Sequence, residues 1–127
     1  MDESPKARVV FLLRVPRERH AEFLGAYERI RYVIAATVPG YLGDQVCQSG
    51  ADDEQWLITS EWASLAHFEQ WERSPGHRGL AGPLRACASE ARSIRFVVRA
   101  QTAPGPAAQT APGPAAWPEG GRSSCPA

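Results

Sequence analysis

The sequence lacks most of the patterns that hold a cofactor or a nucleic acid. Only 3 cysteines occur in 127 residues. Cys47, Cys87 and Cys125 are widely spaced and odd in number, which argues against a disulfide framework and fits reduced thiols. The 3 histidines, His20, His67 and His77, do not have ligand spacing, and no C-x-x-C or H-x-x-H occurs, so no metal site is expected. Cys47 has no neighbouring base and is a poor candidate nucleophile. Lys+Arg and Asp+Glu are both 14, so no net charge favours wrapping nucleic acid. Gly76, Gly79 and Gly82 recur every third residue, but no strand precedes them, and a phosphate-cradling loop is absent. The apolar run Val9 to Leu13 is far below the ~20 residues a spanning helix needs. It is also too short for the core of a secretory signal. No membrane partner is expected, and a cytoplasmic location is.

What the sequence does have is tryptophan, concentrated. Of 4 in the chain, Trp56, Trp62 and Trp71 fall within Gln55 to Arg78, QWLITSEWASLAHFEQWERSPGHR. Trp is large and suits flat hydrophobic ligands. The stretch runs from an alternating strand into an amphipathic helix, which suggests a pocket for a planar aromatic molecule.

Composition divides the chain near residue 100. Residues 101 to 108 read QTAPGPAA and residues 109 to 116 repeat them. A segment so rich in Pro, Gly and Ala cannot bury enough apolar surface to offset its ordering entropy. Residues 101–127 are expected to be a disordered tail, with Trp117 as its one residue able to dock, and residues 1–100 to be the folded domain.

Within that domain Arg8 to Arg14 is apolar on both faces and reads as a central strand. Pro16 opens a helix whose stripe is Phe23, Tyr27, Ile30 and Ile34. Pro39-Gly40 ends it. Leu42 to Ser49 is a weaker strand, and Gly50 to Glu54 a polar hairpin turn. Gln55 to Trp62 alternates, with Trp56, Ile58, Ser60 and Trp62 on one face. Ser64 caps a helix carrying Leu65, Phe68 and Trp71. Arg78 to Ser89 reads as a shorter helical piece interrupted near Pro83, and Ser93 to Ala100 as the last strand. The order β-α-β-β-α-β predicts an α+β, ferredoxin-like fold with a four-stranded antiparallel sheet. Both helices then cover one face. The other face, with Leu57 and part of the first strand, is left bare, which a homodimer of face-to-face sheets (a dimeric α/β barrel) would cover.

The Pro39-Gly40-Tyr41 turn, the strand ending Glu61-Trp62, then Ser64, Phe68, Trp71, Ser74 and His77 together resemble the antibiotic biosynthesis monooxygenase family over residues 8 to 100. The branch from aromatic polyketide pathways is the most similar. There a flat polyphenol sits between sheet and helices, and its own anion passes an electron to dioxygen without metal or flavin. The resemblance therefore implies a cofactor-independent monooxygenase acting on a polycyclic, anthrone-type phenol, with no cofactor, and with a small aromatic substrate and dioxygen as its partners. It implies that Trp62 occupies the position of a functional Trp and Arg85 that of an Arg in the late helix. It also marks departures: Ile58 stands where such members carry Asn, Phe68 where they carry Tyr, and Cys47 where strand two carries His. A haem-degrading branch resembles the chain through Trp62 and Trp71, but its iron-binding His would fall near Ala81.

The candidate catalytic residues are Trp62, His77 and Arg85, with Ile58, Phe68, Trp71 and Tyr41 as substrate contacts. Each has a plainer reading. Trp62, Phe68 and Trp71 fit core packing as well as a pocket wall. His77 is either a base for a phenolic proton or a solvent-facing loop residue, and Arg85 either an oxyanion partner or an exposed helix residue. Trp56 is expected to be half exposed or at a dimer edge, and His20 and His67 at the surface. Two further functions remain open: a non-oxidative polyketide cyclase or aromatase using the same pocket, and a non-catalytic accessory dimer.

Overall fold

The computed structural model describes residues 4–106 of the chain. Of the tail expected over residues 101–127, residues 107–127, with Trp117, lie outside the described residues. The elements run β1 (Ala7–Arg14), α1 (His20–Thr37), β2 (Tyr41–Gln48), β3 (Gln55–Trp62), α2 (Leu65–Glu72), α3 (Pro75–Ala86) and β4 (Glu90–Val97). The sheet order is β2-β3-β1-β4, antiparallel throughout. This is the ferredoxin-like α+β arrangement the sequence predicts.

Period-two alternation sorts the strands. Ala7, Val9 and Leu13 of β1 are buried towards the helices, and across from them stand Trp62, Ser60 and Trp56 of β3. Helix α1 lays Phe23, Ala26, Ile30 and Ile34 against that face. A 3-10 turn over Arg17–Arg19 follows Pro16, so the helix itself begins later than Pro16 suggests. The hairpin between β2 and β3 is pinned by ion pairs, Arg14 to Asp52 at 3.0 Å and Arg17 to Asp53 at 2.9 Å.

Four local expectations are corrected. Trp56 is 6% exposed and packs in the core with Leu13 and Phe23, not at an edge. His20 is half-buried, with its ring 5.0 Å from that of Trp56 and its Nε2 3.0 Å from the Val15 carbonyl oxygen. Helix α3 runs through Pro83 without interruption. Pro83 and Gly79, four residues earlier, are both exposed, where water can serve the carbonyl left without an amide partner. Strand β4 starts at Glu90, and its register turns Ile94 and Phe96 to the face away from the helices, leaving Ala91, Ser93 and Arg95 beneath them. Arg95 there pairs with Glu69 and Glu72 of α2.

The turn between α1 and β2 depends on Gly40. Its φ is +81°, and a Cβ added there would come 2.3 Å from the His67 ring. That ring contacts the Ser64 hydroxyl at 2.8 Å, the same hydroxyl that caps α2 by accepting from the His67 amide. Gly40→Ala should therefore strain the turn and loosen the cap together, at roughly 2–4 kcal/mol in urea unfolding. An unchanged midpoint would mean His67 swings away freely.

Candidate active site

A cavity lies between the sheet and the helices, with about 790 Å³ of atom-free space counted out through its mouth. Val9, Phe11 and Ile58 form its apolar floor, and Ile30, Ile34 and Leu84 face them from the helices. All seven residues singled out from the sequence, Trp62, His77, Arg85, Ile58, Phe68, Trp71 and Tyr41, line this one cavity.

Trp62 is 1% exposed. Its indole stacks on Trp71, with centroids 5.7 Å apart and planes at 27°, and takes the edges of Tyr41 at 5.5 Å and Phe68 at 5.3 Å. Its Nε1–H donates to the Ser60 hydroxyl at 2.9 Å. The indole thus gives the cavity a rigid wall, while its donor is spent inside the protein. Ser60 lines the cavity and keeps its own hydroxyl proton to give.

His77 stands one turn into α3, where Pro75 occupies a first-turn position that needs no amide. Its ring meets Trp71 edge-on at 4.5 Å. Burial pushes the imidazole below its ordinary pKa; Glu72 opposes this, and Arg85 and Arg78 add to it. His77 is therefore a neutral imidazole at neutral pH, able to accept a proton. Arg85 lies at the rim with its guanidinium 5.1 Å above the Phe11 ring.

The opposite side of the cavity holds what sequence reasoning missed. Asp44 on β2 accepts hydrogen bonds from two phenols, Tyr27 on Oδ1 and Tyr41 on Oδ2. Tyr41 and Asp44 are three apart and by simple alternation would face opposite ways. A bulge at Leu42, before Gly43 with φ +138°, shifts the register and turns both inward. The same shift sends Cys47 to the other face, opposite Leu57, where it is exposed and takes no part in the site. A glycine within a strand beside an acidic residue was the available signal. Tyr27 had been read only as part of an apolar stripe. Burial, and then the Asp44 carboxylate, raise its pKa to about 12, so it stays a donor; Tyr41 is raised for the same reasons.

The profile of the antibiotic biosynthesis monooxygenase family matches residues 7–81. This chain belongs to that family. Among related sequences, a 42.8 kDa protein in the whiE locus of Streptomyces coelicolor is 44% identical over 79% of this chain and 25% of its own length. Polyketide synthase CurD of Streptomyces cyaneus is 42% identical over 82% of this chain and 28% of its own. The chain thus spans about a quarter of the length of these relatives. Proteins of known structure share the fold. SnoaB from Streptomyces nogalater, a cofactor-independent oxygenase, superposes with a TM-score of 0.65 at 24% identity, covering 80% of this chain and all of SnoaB. The haem-degrading MhuD of Mycobacterium tuberculosis superposes at 0.64 with 20% identity, over 76% of this chain and 99% of its own. At the position expected for a haem-binding His, Ala81 lines the cavity. Among the described residues no cluster of His, Cys, Asp or Glu could hold a metal ion, and no helix is long and apolar enough to cross a membrane.

The Trp62–Ser60 bond is a direct test of how closed this wall is. Ser60→Ala leaves a buried indole N–H without its acceptor and should cost about 1–3 kcal/mol of stability. An unaltered unfolding curve would show that the N–H finds another partner and that the wall is looser than described.

Proposed function

We propose that this chain is a cofactor-independent oxygenase that oxidises a polycyclic phenol, anthrone to quinone in type, in an aromatic polyketide pathway. The observation that carries the reading is the largely apolar cavity with a neutral imidazole, His77, seated against its aromatic wall. Membership of the family, and a relative named as a polyketide synthase, support the substrate class.

The residues divide the work. Val9, Phe11, Ile58 and Phe68 exclude water from a flat ring system, which strengthens every charge interaction inside. Ile58 and Phe68 fill positions that are polar in similar oxygenases, so proton handling falls to His77. His77 removes a proton from the substrate, and Arg85 steadies the anion that forms. The anion gives one electron to dioxygen, and the resulting radicals join in a C–O bond. Protonation yields a hydroperoxide. Loss of the second hydrogen from that carbon cleaves the O–O bond and leaves a carbonyl and water. One atom of dioxygen ends in the quinone and the other in water, so the substrate is the sole reductant. The bare sheet face, carrying Val10, Leu12, Leu57, Ile94 and a half-exposed Phe96, is the surface through which two copies would pair as a homodimer.

A non-oxidative cyclase would use the same cavity, and the apolar Ile58 and Phe68 favour it over the oxygenase to that extent. Incubation with an anthrone under isotopic dioxygen separates the two. The oxygenase incorporates one labelled atom per quinone and stops without oxygen. Unlabelled product, or turnover that persists anaerobically, contradicts it.

The lowered pKa of His77 sets a pH signature. Because the base is the neutral form, kcat/KM should hold as pH falls past the 6.5 of an ordinary imidazole and decline only below it. His77→Gln should remove that acid limb and most of the rate. A limb at or above 6.5 that survives the substitution would assign the base elsewhere.

A further inference from the structure

The cavity has two polar ends of opposite character. Helix α3 presents His77 and Arg85, where a developing anion is served. The β2 side presents Asp44, a carboxylate, with the hydroxyls of Tyr27 and Tyr41 bound to it. The cavity is lined from Asp44 on β2 to Ser93 on β4, the two edge strands of the sheet, which lie three strand spacings or about 14 Å apart.

Asp44 differs from the other carboxylate of the cavity. Glu72 is paired with Arg95, whereas among the described residues no cation lies within ion-pair distance of Asp44. Arg31 is close by, with its guanidinium 5.2 Å from the Tyr27 ring, but its ion pair is with Glu28 at 3.3 Å. Two phenols donate to Asp44, one on each oxygen, and each oxygen keeps a further acceptor site. Such a group repels an anion, offers nothing to a carbonyl or ether, and binds a neutral hydroxyl well.

We infer that Asp44, held by Tyr27 and Tyr41, recognises a neutral hydroxyl at the far edge of the substrate and so fixes which edge of the ring system faces His77. The substrate class narrows to fused-ring compounds with a hydroxyl at each end, one that ionises beside His77 and Arg85 and one that stays protonated at β2. Substrates with a carboxylate at the β2 end are rejected by charge. This rests on the cavity being the site for a polycyclic phenol. Asp44 is here a positioning and specificity residue, and the Leu42–Gly43 bulge is the device that brings it in.

The test is a binding comparison using inert quinones, read by quenching of tryptophan fluorescence in the full chain. The probes are 2,6-dihydroxyanthraquinone, with a hydroxyl at each end, and its dimethyl ether, with a hydroxyl at neither. The wild-type protein should prefer the diol by roughly tenfold or more, the loss that follows removal of a hydrogen bond to a charged group. Asp44→Asn should reduce the preference to about threefold or less, because the amide is a weaker, uncharged acceptor. His77→Gln should weaken both ligands yet leave a preference. A preference that survives Asp44→Asn, or that disappears only in His77→Gln, overturns the proposal. If Asp44→Asn does not fold, equal wild-type affinity for the two probes overturns it without any variant. Failure of both probes to bind would remove the cavity reading together with this one. The stated preferences without any oxygen uptake on an anthrone would support the assignment of Asp44 and count only against oxygenation.

Discussion

The cavity is bounded by a packed wall of rings centred on Trp62, which is itself fully buried. Its indole ends β3 on the helix side of the sheet, sealed by Tyr41, Phe68 and Trp71 and tied to Ser60. Those contacts build a wall of rings where a smaller residue would let α2 settle onto the strands. The wall fixes the position of Trp71, and Trp71 carries His77 on its edge. Floor, wall and base are thus one packed unit, and a change at Trp62 propagates to the imidazole through two ring contacts.

The remainder of the site is set by electrostatics across the sheet. Edge strand β2 contributes a carboxylate that holds two phenols, and helix α3 brings an imidazole and a guanidinium. The apolar strip between them has nothing to offer a charge, so a bound molecule is held by its ends and sheltered in its middle. That division suits a flat molecule with hydroxyls on its periphery, and under the proposed reaction the developing charge would lie near Arg85.

Much of this was legible in the amino-acid order. Alternation in Gln55 to Trp62, the stripe from Phe23 to Ile34 and the Ser64 cap are local signals, and each element they predict is present. The aromatic wall was legible too, because Trp62, Phe68 and Trp71 sit on one strand end and one helix stripe. The carboxylate end was not. A single extra residue at Leu42 reverses the facing of everything after it on β2, which exchanges Cys47 for Asp44. Periodicity carries no record of such a shift except the glycine at Gly43. Trp56 and His20 were misread for a different reason: their burial comes from α1 and Val15 folding over the end of β3, a tertiary contact with no local pattern.

The central claim is that fused rings bind between the sheet and the helices against the wall that Trp62 builds. A crystal structure of the protein with 2,6-dihydroxyanthraquinone tests it most directly. The account predicts the ring system lying over Phe11 and Ile58, its edge against the Trp62–Trp71 stack and its two ends near Asp44 and His77. Density for the quinone on the opposite sheet face around Leu57 and Phe96, with the cavity collapsed or filled by side chains, would contradict it.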